Sequence, residues 1–221
     1  MYKSPISPFD YDQEPMSVSV FFNNQPLDEN ILIQHLTVNS SVNYPTKAVL
    51  TVEAGKDVEK ADFNSGNPVL IRLGYGLNTT IVFEGIILQQ AIAGNISGGT
   101  IIKLLCISIA PVIKMEAPYT ESLNGLPGPF LKLTLGTDII NHTITACKKP
   151  DHYNPDWFCG QFRFPGSALA AIHTLIKIDK ELQPYYNEYP YIASVEHVVE
   201  KGNWVTTVSL GKQEIIDFTK W

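Results

Sequence analysis

The chain has 221 residues, of which 44% are hydrophobic and 17% charged, and a formal net charge of −6. That length holds one large or two small domains with a sizeable core, and the balance excludes a disordered chain. No lysine or arginine cluster exceeds pairs such as Lys148-Lys149, so a nucleic-acid footprint is excluded, and no apolar run approaches the roughly 20 residues of a membrane helix.

Three cysteines, an odd number, make no disulfide framework and fit a reducing compartment. The first fifteen residues lack the apolar stretch of a secretory signal and carry three prolines. They are expected to form an extended arm, either frayed or docked on a neighbouring subunit. Low charge density over so long a chain fits a surface partly covered by other subunits, and equally an ordinary β-rich domain.

Residues 17–22 (SVSVFF) read as a strand, and 23–27 (NNQPL) as a turn in which Asn tolerates the left-handed region. Residues 31–38 and 47–52 follow as strands, the second alternating Ala48, Leu50 and Val52 with Val49 and Thr51. Pro45 cannot donate to a ladder, so 39–46 is expected to be a connection. Residues 53–62 look like a polar loop. The pair 69–73 and 81–88, flanking Gly74-Tyr75-Gly76-Leu77-Asn78, reads as the central hairpin. Gly85 inside its second strand marks a bulge or a close backbone approach. Residues 100–110 are apolar on both faces and should be a central strand, with Cys106 as a small buried hydrophobe. Together these close a small barrel or sandwich over 16–115.

A Pro-, Gly- and Ser-rich stretch at 116–128 is the expected linker, and 129–221 a second, minimal barrel with a C-terminal tail. Within it, 130–135 and 143–146 are short strand candidates and 147–160 looks irregular. Residues 167–182 space Leu169, Ile172, His173 and Ile176 at helical intervals behind Ser167, an N-cap residue, so one short helix is expected near 167–183. Residues 191–200 and 204–210 are strands joined by a tight turn at Lys201-Gly202-Asn203. In the first, Ala193, Val195, His197 and Val199 share one face. The expected fold class is mainly β, with two small barrel-like domains.

At this point the pattern resembles the phage late control gene D and baseplate hub family, which includes the hub half of the type VI secretion spike protein VgrG. The residues that carry it are Ile71-Arg72-Leu73-Gly74-Tyr75-Gly76, then Ile81-Val82-Phe83-Glu84-Gly85-Ile86, with the upstream stretch 40–52 and the closing hairpin 192–210. The resemblance implies a homotrimer in which each subunit contributes two similar barrels to a pseudo-sixfold ring that adapts the tail tube to the central spike. It implies as partners the tail tube protein, a separate spike protein and baseplate wedge or tape-measure proteins. It implies a place in the tail baseplate of a virion, assembled in the host cytoplasm. No puncturing segment follows residue 210, so the spike is expected on another chain.

No catalytic or cofactor site is expected, and the chain reads as no enzyme. His142, Cys147, His152 and Cys159 are metal-ligand types, but no C-x-x-C or H-x-x-x-H spacing joins them. A loop with incidental His and Cys, a Cys147–Cys159 disulfide, and a Cys159–His173 nucleophilic pair are the alternatives. The Pro-bounded tract with Tyr185, Tyr186 and Tyr189 reads as a subunit contact or, in a β-sandwich binding module, as a carbohydrate or receptor platform. Tyr75 and Trp221 are further interface candidates.

Overall fold

A computed structural model of the chain describes residues 14–54, 63–94, 99–111, 130–134, 138–147, 157–172, 174–178 and 192–210. In chain order the strands are β1 (Met16–Phe22), β2 (Gln25–Pro26), β3 (Ile31–Ser41), β4 (Tyr44–Ala54), β5 (Pro68–Tyr75), β6 (Asn78–Gly94) and β7 (Thr100–Ser108). They continue as β8 (Phe130–Leu133), β9 (Asn141–Cys147), β10 (Trp157–Pro165), β11 (Leu175–Ile178), β12 (Ile192–Glu200) and β13 (Asn203–Leu210). Eleven form one sheet in the order β2-β1-β5-β6-β7-β4-β3-β12-β13-β10-β9, and β8 and β11 form a separate parallel pair.

Alternation sets which face is buried. Leu36 and Val38 on β3, Ala48, Leu50 and Val52 on β4, and Ile102, Leu104 and Cys106 on β7 are all at 2% exposure or less. Their neighbours Thr37, Val49, Lys103 and Leu105 point the other way. β7 is central, between β6 and β4, as its two apolar faces predict. Cys106 is buried and unpaired, and burial pushes its thiol up to about 12.

The fold is mainly β, as expected, but the sheet of the barrel-like expectation rolls without closing into a barrel. Tyr75 on β5 and Trp204 on β13 are six places apart in strand order, about 29 Å on a flat sheet at 4.8 Å per strand. Their ring centroids are 5.5 Å apart. The sheet therefore curls until its two halves meet through side chains, while β9 and the β1–β2 end have no ladder between them. Register shifts at Ile71/Arg72 and Ile87/Gln89 in the β5–β6–β7 ladders supply local bends. Gly85 meets the second expectation, close approach: a Cβ there would lie 2.2 Å from the Ile107 carbonyl oxygen.

One buried cluster runs from Val20 and Phe22 through β3–β7 to Val199 and Trp204. A second gathers Leu131, Leu133, Phe162, Phe164, Ala170, Ile176, Ile192, Val195, Val208 and Leu210. The parallel pair β8–β11 contributes Leu131, Leu133 and Ile176 to it.

Three local expectations need correction. The described part of 167–183 contains no helix. Ala170 N–H donates to Ser167 O and Thr174 N–H to Ala171 O as isolated turns, and residues 175–178 are β11. The stretch Leu175-Ile176-Lys177-Ile178 carries two β-branched residues, and its partner β8 offers a ladder that overrides the spacing seen upstream. Residues 157–165, whose first four were expected to be irregular, form β10 with Phe162 and Phe164 buried and Gln161 and Arg163 exposed. Residues 39–46 are the two strand ends of a tight hairpin. Pro45 falls at the register shift between Asn39↔Lys47 and Ser41↔Tyr44, where its missing N–H interrupts no regular pair.

Candidate functional site

The β12–β13 hairpin turns at Lys201 and Gly202, both at positive φ (50° and 77°), as a two-residue turn with the twist of its strands requires. That turn sets the register His197↔Thr206 and Val199↔Trp204. Strand alternation then sends His197, Val199, Trp204 and Thr206 inward, all at 5% exposure or less.

These residues build a buried junction. Ser167 N–H donates to Thr206 Oγ1 at 3.0 Å, and Thr206 Oγ1 lies 3.0 Å from His197 Nδ1. With one proton and a second lone pair left, the Thr206 hydroxyl can donate to Nδ1 or accept from Nδ1–H, and the imidazole tautomer sets which. Burial pushes the His197 pKa down to about 4. The Trp204 indole packs 5.7 Å from His197 on one side and 5.5 Å from Tyr75 on the other. The Tyr75 hydroxyl donates to the Gly166 carbonyl at 3.0 Å, and Gly166 N–H donates to the Trp204 carbonyl at 2.8 Å. Gly166 has no room for a side chain: a Cβ would stand 1.9 Å from Trp204 Cδ2.

The junction anchors the β5–β6 hairpin. Gly76 N–H at the tip donates to Pro15 O at 2.9 Å, and Leu77, the apex, is 99% exposed. A backed tip with a bare leucine is a surface suited to contact.

The outer side of β9, β10, β12 and β13 carries a mainly polar groove. Asn141, His142, Thr143, Gln161, Arg163, Glu196, Val198, Val205 and Thr207 line a shallow groove of about 340 Å³. Register aligns Asn141, Arg163, Thr207, Glu196, Asn39 and Lys47 in one row across six strands. The groove has amides, hydroxyls and both charge signs, but no nucleophile bonded to a base.

Three of the metal-type residues fall on β9 and β10. His142 sits at the start of β9, opposite and stacked 6.2 Å from the ring of Phe162. Cys147 is five residues on, about 16 Å at 3.3 Å per residue, and of opposite strand parity. Cys159 lies opposite Thr145, diagonal to Cys147. His152 and His173 lie outside the described residues, as do Tyr185, Tyr186, Tyr189 and Trp221. Among the described residues no three His, Cys, Asp or Glu side chains converge to hold a metal ion. No described helix is long and apolar enough to cross a membrane. Tyr75, expected at an interface, is half-buried and bonded within its own chain.

Sequence reasoning missed the Gly166–Trp204–Tyr75 contact. The alternation that put His197 with Val195 and Val199 did carry its inward orientation, but no local signal pairs residues 75 and 204.

No family model and no curated protein matches the chain. Solved structures do. A tail protein from Neisseria meningitidis MC58 superposes with a TM-score of 0.60 at 9% identity, over 91% of this chain and 98% of that one. The 43 kDa tail protein of prophage MuSo2 from Shewanella oneidensis gives 0.57 at 8% identity, over 89% and 98%. The E. coli c3393 protein gives 0.62 at 9% identity, over 88% and 77%. It is a type VI secretion component described as structurally similar to the T4 bacteriophage tail proteins gp27 and gp5. This chain therefore has the fold of phage tail and type VI secretion proteins.

Proposed function

We propose that this chain is a structural component of a contractile phage tail or related injection machine, and within it the baseplate hub. Three copies form a ring between the tail tube and a spike carried on a separate chain, with tape-measure or wedge proteins alongside. The observation that carries the reading is the extent of the likeness: about nine-tenths of this chain superposes on two tail proteins, each of them spanned almost completely. In this reading the segments 16–115 and 129–221 act as the two quasi-equivalent units of each subunit, so that a threefold object meets a sixfold tube. The arm 1–15 and the tract 185–191 supply subunit contacts. The work is mechanical and the protein catalyses no reaction. Its place is the tail baseplate of the particle, after assembly in the host cytoplasm.

The test is assembly. Light scattering on the purified chain is expected to give three times the subunit mass. Micrographs of the chain mixed with its tube protein should show density capping tube ends. A chain that stays single and leaves tube ends bare contradicts the proposal.

A further inference from the structure

Apart from the two-residue β2, which covers one end of β1, the strands at the two ends of the sheet lack the usual protection. Native sheets blunt free edges with charge, proline, bulges or very short strands. β1 reads MSVSVFF and β9 reads NHTITAC, seven residues each, and neither contains Lys, Arg, Asp, Glu or Pro. Neither the β1–β5 nor the β9–β10 ladder has a register shift. β2 pairs with β1 at Phe21 and Phe22 and Leu27 bonds Val20, so among the described residues the outer side of 16–19 carries no ladder. Its outward groups can be named. The Val20 carbonyl accepts from Leu27 N–H at 2.8 Å on that side. The N–H and C=O of one residue point the same way and alternate along a strand, so Val18 and Met16 also turn theirs outward.

We infer that these edges pair with each other between copies, β1 of one subunit adding to β9 of the next. The argument for a second copy is that the two strands match in their alternation. In β1, Met16, Val18, Val20 and Phe22 alternate with Ser17, Ser19 and Phe21, and the first series packs on the first cluster. In β9, His142, Ile144 and Ala146 alternate with Asn141, Thr143, Thr145 and Cys147, and register gives the first series the parity of Phe162 and Phe164. Pairing the strands continues the alternation of one copy's edge into that of the next. The two edges are different surfaces, so the contact is heterologous, and a threefold rotation between copies closes it as a ring. The inference rests on the ring proposed above and names the strands that join it.

Amide hydrogen exchange and mass decide it together. In the assembled wild-type chain, 16–19 and 141–147 are expected to exchange about tenfold or more slower than after dilution to single chains. Val18→Pro removes an outward N–H and leaves the β5 ladder intact, so it is expected to reduce the assembled mass to one chain while the folded circular dichroism persists. Val18→Ala, which keeps the amide, should assemble. Threefold mass with both segments exchanging fast, or with Val18→Pro still assembled, overturns the edge pairing and leaves the ring reading standing. Slow exchange that survives dilution means the chain's own segments cover the edges, and also overturns it. A wild-type chain that never assembles overturns both. If Val18→Pro fails to fold, the exchange result on the wild-type chain decides alone.

Discussion

Gly166 lies flat against the Trp204 indole, and the ring cannot yield because His197 and Tyr75 hold its other sides. Gly166→Ala forces a methyl into that stack and is expected to cost about 1–3 kcal/mol, the range for overpacking a filled core. A lower urea midpoint at unchanged slope checks it. His197 gives a pH prediction from the same site. Its pKa is about 4 folded, against 6.5 for the ordinary side chain, so between those values the unfolded chain binds the extra proton. Stability from this group is complete above pH 6.5 and falls as pH drops towards 4, by about 3 kcal/mol at 1.36 kcal/mol per pH unit. Comparing unfolding free energies of the wild type and His197→Asn from pH 7 to 4 isolates it, since the carboxylates titrate in both. Equal slopes in that window contradict a buried neutral imidazole.

The hairpin β5–β6 shows how one element bends a sheet. Gly85 sits where β6 crosses close to β7, and a Cβ there meets the Ile107 carbonyl oxygen at 2.2 Å, a backbone atom that cannot swing aside. Gly94, at the far end of the same strand, has nothing within 4 Å of such a Cβ. Gly85→Ala is therefore expected to lose at least about 2 kcal/mol, whereas Gly94→Ala stays within about 0.5 kcal/mol of wild type or gains slightly. Paired denaturation curves test the contrast, and equal losses defeat it. Elements of this kind were legible because alternation and turn residues are local. β1, β5, β7, β12 and β13 follow from runs such as SVSVFF and from the turn at Lys201-Gly202. β11 was not legible, since Leu169, Ile172 and Ile176 fit a helical period, and the partner that makes 175–178 a strand lies 45 residues upstream at Phe130–Leu133. β10 was obscured by Gly160 and by Pro165, which ends the strand, although Phe162 and Phe164 alternate with Gln161 and Arg163 as a half-buried strand should.

At the scale of the whole molecule, the decisive contacts join residues far apart in sequence. β3 pairs with β12, placing Val38 beside His197, and this ladder fuses the early strands with the late ones into one sheet. No local pattern announces such a pairing, which is why the strands were readable and the open, rolled sheet was not. The same sheet makes a prediction about association. The chain carries a net charge of −6, while β1 and β9 are free of charged residues. If neutral strand edges join the copies, Coulomb forces between subunits are mainly the mutual repulsion of like net charges. Salt near 0.5 M shortens the screening length to about 4 Å and weakens that repulsion. Burial of apolar area survives salt. Association is therefore expected to hold or tighten as sodium chloride rises from about 0.05 to 0.5 M, read as a lower dissociation constant in sedimentation. An interface built from rows such as Arg163, Glu196 and Lys47 would loosen over the same range, because opposite charges lose their attraction when screened. Dissociation on adding salt would therefore move the contact from the sheet edges to the charged outer face.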